Sequence, residues 1–380
     1  MDKAVKPAPI AVPEAALSDL KARLDLVRWP EAATAPGWAQ GVPLDYLQDI
    51  VDDWRHRYDW RRCEAALNAL EPFETTIQGV KIHFLHSRSR HAEAKPLIMT
   101  HGWPGSVVEF LKAAPMLTDP TAHGGAAADA FHLILPTIPG YGFSGKPAEA
   151  GWSVERVAEA WAELMRRLGY GRYVAQGGDW GSVISTHLAT IAPEACAAAH
   201  VNLLWVPPAT DAFPDVTEAE QAALDQAKYH RRQGMGYSWE QMSRPQTIGY
   251  SLADSPVGQA AWILEKFYEW TDCDGAPENV LSRDELLDTV MMYWLTRSGA
   301  SSARLYWESF GARRTEAVTA PIGYSAFPKE IARPSRRWAE RRYKNLIYWN
   351  ALEKGGHFAA FEQPAAFVRE LRNCFGAVPL

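Results

Sequence analysis

The turn Gly177-Gly178-Asp179-Trp180-Gly181 constrains this chain more than any other feature. It follows the apolar run Tyr173-Val174-Ala175 and precedes a segment of helical character, Ser182 to Thr190. A strand, a tight turn of small residues and a helix form the setting of a nucleophile elbow, whose central residue is thrust out on a sharp bend. That centre is usually serine; here it is Asp179. A carboxylate cannot run serine chemistry, but it can attack a saturated carbon and form an ester. Such an elbow demands a substrate with an electrophilic sp3 carbon.

Composition narrows the remaining choices. A chain of 380 residues with 47% hydrophobic residues can bury a sizeable core, as one large domain or two smaller ones. A net charge of -6 argues against nucleic acid as a partner. Cys63, Cys196, Cys273 and Cys374 lie far apart with no C-x-x-C spacing, which points to reduced thiols in a cytoplasmic protein. No apolar run approaches the roughly 18 residues of a membrane span, and the N-terminus lacks a secretory pattern. The chain carries 16 Trp, 14 Tyr and 13 Phe, enough to build the core and to line an apolar pocket as well.

Four stretches follow from the patterning. Residues 1–72 read as a helical extension, with helices over Pro13 to Val27 and Leu44 to Tyr58. Residues 73–205 alternate strands (Phe73 to Ile77, Lys81 to Leu85, Pro96 to Thr100, Phe131 to Leu135) with helices (Ser106 to Met116, and one capped by Ser153 and closed by Gly169). That rhythm implies a mostly parallel α/β sheet covered on both faces. Residues 206–317 read as helices (Glu218 to Gly234, Gly258 to Trp270, Arg283 to Thr296, Ala300 to Phe310) forming a cap over the ligand-binding edge of the sheet. Residues 318–380 return to the sheet, with strands at Ile322 to Ser325 and Leu346 to Trp349 and a final helix.

A nucleophile elbow is followed in the chain by an acid and then by a histidine. Among eleven histidines only His357 lies after the helical stretch, in Gly355-Gly356-His357-Phe358. Its two glycines let the backbone place an imidazole in a cleft. For the acid, Glu330 follows a strand end at Tyr324 to Pro328, whereas Glu316, Glu340 and Glu353 lie in charged surroundings and read as surface. An oxyanion hole needs converging backbone N–H groups. Trp180, next to the nucleophile, supplies one. In His101-Gly102-Trp103-Pro104-Gly105 proline has no N–H, so Trp103 supplies the other, and His101 reads as structural.

Two motifs mislead. Gly140 to Pro147 resembles a phosphate-binding loop, but Pro147 stands where Ser or Thr must hold magnesium. His83, His86 and His91 cluster in sequence, but positions 83 and 86 of one strand face opposite ways. The sequence therefore asks for neither cofactor nor metal.

The elbow Gly-Gly-Asp-Trp-Gly-Ser, the turn His-Gly-Trp-Pro-Gly-Ser and the run Gly-Gly-His-Phe-Ala-Ala-Phe-Glu-Gln-Pro resemble the α/β-hydrolase-fold epoxide hydrolases, chiefly those of microsomal and juvenile-hormone type. The resemblance covers nearly the whole chain. Val12 to Leu17 with Arg28-Trp29-Pro30 is similar to the family's N-terminal extension, Asp254 to Gly258 with Ile263 to Phe267 to its cap, and Phe327 to Glu330 to its acid-bearing segment. The resemblance departs at one point: the membrane anchor of animal microsomal members is not expected in this chain. The family also uses two cap tyrosines. The resemblance assigns one to Tyr306, in Ser302 to Glu308, and the other to Tyr237, with Tyr250 as the alternative. It implies that an apolar epoxide and water are converted to a diol through an ester on Asp179. Haloalkane dehalogenation, which uses the same nucleophile, and a catalytically silent binding protein are the rival readings. Oligomeric state, including a homo-oligomer, is left open.

Overall fold

The computed structural model describes residues 4–311 and 316–380. Among them nine strands form one sheet: β1 (Lys6–Pro7), β2 (Pro72–Ile77), β3 (Val80–Ser87), β4 (Lys95–Thr100), β5 (Phe131–Pro136), β6 (Tyr173–Gly177), β7 (Cys196–Val201), β8 (Ile322–Ala326) and β9 (Leu346–Ala351). Their spatial order is β1-β2-β3-β5-β4-β6-β7-β8-β9. The links β1–β2, β2–β3 and β3–β5 are antiparallel, and every pair from β5 to β9 is parallel. Gln78 and Gly79 turn the β2–β3 hairpin with φ of 49° and 83°, the paired positive values that a two-residue hairpin requires.

The apolar runs read as buried strands are buried. Leu97 to Met99 of β4, Leu133 to Leu135 of β5 and Tyr173 to Ala175 of β6 are all inaccessible to solvent or nearly so, as expected of parallel strands covered on both faces. The helices Val154–Arg167, Asp179–Ile191 and Pro364–Phe375 contribute buried apolar faces to this core. The strand order also fixes where a ligand can sit. The chain lays β5 on one side of β4, then crosses to place β6 on the other side and continues outward to β9. Such a reversal opens a crevice at the carboxyl ends of the strands. The loops after β4, β6, β8 and β9 carry Trp103, Asp179, Glu330 and His357.

Several elements depart from the sequence reading. The helix expected over Ser106 to Met116 is a 3-10 turn, Val107–Phe110, followed by a short helix, Ala114–Thr118. Pro115 has no N–H and is tolerated only in a first turn. Ser153 occupies the N-cap position of its helix, but its side chain makes no capping bond. Glu218 to Gly234 is an α-helix only to Tyr229 and ends in a wider π turn, His230–Gly234. Helices at Trp60–Asn68, Gly236–Ser243 and Pro245–Asp254 add to those anticipated. No helix among the described residues is long and apolar enough to cross a membrane.

The N-terminal helices are bonded to the helical stretch between β7 and β8. Asp288, buried on the Arg283–Leu295 helix, accepts from Tyr58 Oη at 2.7 Å and from Arg62 at 2.7 and 2.8 Å. Trp38 stacks on Tyr268, with centroids 4.0 Å apart and planes 3° from parallel. Replacing Asp288 by Ala leaves a half-buried phenol and a guanidinium without this acceptor. D288A is expected to lower unfolding free energy by about 2–4 kcal/mol in chemical denaturation, and a loss under 1 kcal/mol would show that this bond does not hold the two regions together.

Candidate active site

Asp179 has φ of +49°, a left-handed conformation that a residue with a Cβ adopts at a cost. The turn is closed by glycines at positions where a side chain has no room. A Cβ on Gly177 would overlap the Gly181 carbonyl, and one on Gly181 would overlap the Thr100 carbonyl. Gly178 takes the N-cap position of the Asp179–Ile191 helix, so the carboxylate stands at the positive end of that helix.

The partners of Asp179 come from other strand ends. Its Oδ1 accepts from the Trp103 backbone N–H at 2.9 Å. This close approach requires Gly102, whose Cβ would overlap Asp179 Cβ and Oδ1. The Trp180 N–H makes no bond to the carboxylate in this state. Asp179 Oδ2 lies 3.5 Å from His357 Nε2, and His357 Nδ1 is 2.6 Å from Glu330 Oε1. Nucleophile candidate, imidazole and acid thus form one line. Burial by itself would push the His357 imidazole down. The Glu330 charge and the bond to Asp179 overcome that and hold it well above the usual histidine range.

Glu330 is fully buried and also accepts the Ile331 N–H at 2.7 Å. The rivals Glu316, Glu340 and Glu353 are exposed. The His357 loop is pinned from two sides. His357 N–H donates to the Trp270 carbonyl at 2.8 Å, and Glu362 accepts from both Phe358 N–H and Asp272 N–H. Gly356 permits this approach, since a Cβ there would strike the Trp270 carbonyl. A bridge between Lys329 and Gly356 brings the acid-bearing and histidine-bearing loops side by side.

Of the tyrosines considered, Tyr306 and Tyr237 are 2% and 7% exposed, whereas Tyr250 is 70% exposed and away from the site. The Tyr237 ring stacks on Trp103 at 4.9 Å and 7°, and meets the Tyr306 ring edge-on at 5.8 Å. Tyr306 in turn meets Trp180 edge-on at 4.9 Å. Both phenols therefore rest on the two indoles that flank Asp179. Burial, with the nearby Asp179 charge, holds both well above the usual tyrosine range, so they remain protonated donors.

His101 is structural: its ring nitrogens meet the Gly102 carbonyl at 2.9 Å and the Ile138 N–H at 3.3 Å, and burial pushes it down to about 4. Gly140 to Pro147 is a compact loop closed by Gly140 N–H to Gly145 O. His86 Nε2 pairs with Tyr170 Oη, while His83 Nε2 pairs with the Ala8 carbonyl. No group of three metal-binding side chains occurs among the described residues.

Sequence reasoning missed Asn202 and Trp270. Asn202 follows β7 and donates to Glu330 Oε2 and to the His357 carbonyl, each at 3.4 Å. Its position at a strand end was the available signal. Trp270 packs edge-on against the His357 ring at 5.0 Å.

Comparison with known proteins identifies the family. Residues 95–236 match the alpha/beta hydrolase fold model, and the fold is of that class. Residues 5–110 match the model described as epoxide hydrolase N terminus. The chain is 36% identical to epoxide hydrolase 1 of Sus scrofa, covering 99% of this chain and 89% of that one. It is 37% identical to juvenile hormone epoxide hydrolase 1 of Ctenocephalides felis, covering 98% and 85%. The crystal structure of juvenile hormone epoxide hydrolase from the silkworm Bombyx mori superposes with a TM-score of 0.91 at 33% identity, over 99% of this chain and 95% of that one. This chain belongs to the epoxide hydrolase family, and it is a hydrolase enzyme.

The cradle of Asp179 is the feature most open to direct test. Gly102→Ala is expected to displace the carboxylate from the Trp103 N–H and lower diol formation by about a hundredfold or more. A variant that keeps wild-type turnover would show that this contact is dispensable.

Proposed function

We propose that this enzyme opens an apolar epoxide by forming a hydroxyalkyl ester on Asp179, and that His357 then drives hydrolysis of that ester to a vicinal diol. One observation carries the reading: the two Asp179 oxygens have different neighbours. Oδ1 is held by the Trp103 N–H and Oδ2 faces His357. The first becomes the ester carbonyl oxygen, already seated on one oxyanion donor, the Trp103 N–H. The second attacks the ring carbon. Tyr237 and Tyr306 hydrogen-bond the epoxide oxygen and donate a proton as the C–O bond breaks. The surrounding rings of Trp103, Trp180, Trp270 and Phe310 favour an apolar substrate.

The charge state of His357 supplies the switch between steps. In the resting enzyme the imidazole is a cation because Glu330 and Asp179 are both anionic neighbours. Alkylation neutralises Asp179, so one source of the upward shift disappears and His357 releases its proton. That proton balances the one the tyrosine has donated. The neutral imidazole, oriented by Glu330, then deprotonates water, which attacks the Asp179 carbonyl carbon. Trp103 and Trp180 N–H groups receive the oxyanion, at roughly 3–4 kcal/mol per donor. Collapse breaks the ester C–O bond, the second hydrogen of the attacking water passes from the carboxyl to the departing alkoxide, and the diol leaves with Asp179 anionic and His357 protonated.

The paired phenols favour this reading over halide displacement, which needs no proton donor, and the complete aspartate–histidine–glutamate line disfavours a silent binding protein. Four free, buried cysteines suit a reducing cytoplasm.

His357→Gln is expected to form the ester without releasing it, so mass spectrometry after mixing with a styrene-type epoxide reads a stoichiometric adduct on the Asp179 peptide. Bound substrate without any adduct would overturn the two-step scheme. The proton switch is tested separately by pH. Because the resting His357 binds its proton more tightly than the alkylated enzyme does, single-turnover ester hydrolysis should reach half its maximum at a lower pH than the midpoint of the resting imidazole's NMR titration. Coincident midpoints would remove the switch.

A further inference from the structure

Beneath Asp179 lies a small cavity lined by Asp179, His357, Glu109 and Gln176, and by neither tyrosine. It leaves about 10 Å³ for the centre of a water molecule, close to the least that holds one water. These four polar side chains, in a lining that is otherwise largely apolar, suit that occupant. Gln176 is 1% exposed, donates its amide N–H to Asn202 Oδ1, and leaves its buried Oε1 without a partner. Glu109 is folded back against the chain, its Oε1 accepting the Ser106 N–H at 3.0 Å. That fold depends on Gly105, where a Cβ would overlap the Glu109 carboxyl. Among the described residues nothing hydrogen-bonds Glu109 Oε2.

The ester mechanism above, on which this inference rests, requires a water that reaches the Asp179 carbonyl carbon from a side the substrate does not occupy. It must also lie against His357 Nε2. We propose that this cavity is the site of that water, and that Glu109 and the Gln176 carbonyl hold it there for His357 to deprotonate. The hydrogen bonds are complete in this arrangement. The water donates one hydrogen to His357 Nε2 and the other to Gln176 Oε1. It accepts from Glu109 Oε2–H, and its remaining lone pair points at the Asp179 carbonyl carbon. In the resting enzyme burial pushes the Glu109 carboxyl up to about 8, against the His357 charge and helped by that of Asp179; in the ester both of those charges are gone, and burial alone still favours the hydrogen on Oε2. In the attack the water O–H bond breaks, its proton goes to His357 and the new C–O bond forms at Asp179. Glu109 positions the water without exchanging a proton. The Ser106-x-x-Glu109 spacing is also a helix capping box, so the same carboxyl serves the local fold through one oxygen and the cavity through the other.

The test separates the two chemical steps by rapid-quench mass spectrometry with a styrene-type epoxide, at pH 7. Glu109→Ala is expected to alkylate Asp179 within about threefold of wild type and to hydrolyse the ester about 10–100-fold more slowly, so the adduct accumulates. Glu109→Gln offers an acceptor for Ser106 and a donor to the water, and should restore ester hydrolysis to within about threefold. If the Ala variant does not fold, Glu109→Asp, which withdraws the carboxyl from the cavity by one methylene, should show the same step-selective loss. Unchanged hydrolysis in the Ala or Asp variant, equal slowing of both steps, or failure of Gln to restore hydrolysis each overturns the assignment. Absence of an adduct in His357→Gln, with diol still formed by wild type, instead overturns the ester mechanism itself.

Discussion

The left-handed backbone at Asp179 is the constraint around which the site is arranged. A residue with a Cβ held there costs on the order of 1–3 kcal/mol, and it persists only where the surroundings over-determine it. Here they do. Gly177, Gly181 and Gly102 each face an atom that leaves no space for a methyl group. The three positions belong to the end of β6, the start of its helix and the loop after β4. The strain is therefore opposed by the packing of adjacent parallel strands, deep in the core. The result is a carboxylate with one oxygen on a backbone N–H and the other turned to an imidazole.

The part of this arrangement legible in the sequence is the part written in special residues. Glycines mark the elbow and the histidine loop, and apolar runs mark β4, β5 and β6, because close backbone approach and burial on both faces each demand a restricted residue set. β7 was not legible. Its Cys-Ala-Ala-Ala-His-Val pattern has little of the β-branched and aromatic character of strands, and only its place between β6 and β8 makes it one. Gly236–Ser243 and Pro245–Asp254 are short helices whose stability comes from tertiary packing. Tyr237 shows the limit most clearly. The short Gly236-Tyr237 likeness alone ranks it ahead of Tyr250; burial and stacking on Trp103, more than a hundred positions away, separate the two.

Electrostatics explains why so many carboxyls can crowd one imidazole. Asp179, Glu330, Glu109 and Glu362 all surround His357, the single cation among them. Four anions around one positive charge, three of them buried, would repel strongly. Burial raises Glu109 to about 8 and Glu362 to about 7, so protons on these two relieve the repulsion. They can be spared as charges because they work as hydrogen-bonding groups. Glu362 accepts from two backbone N–H groups that tie the histidine loop to the end of the Pro256–Trp270 helix, and Glu109 accepts from a third.

The same helix links this electrostatic core to the rest of the chain. Its Lys266, buried at the side chain, lies 4.7 Å from the Tyr237 ring and 5.5 Å from the Trp270 ring. Its Trp270 receives the His357 N–H. Its Tyr268 carries the Trp38 stack from the N-terminal region. A displacement of this one helix would move a phenol, the histidine loop and the N-terminal packing together. Under the mechanism proposed above, that shared dependence would give the N-terminal residues a physical part in catalysis without contact with substrate. By bonding to the helical stretch they would fix the distance between the two phenols and the imidazole, and the ring opening proposed for this site would tolerate little error in that distance.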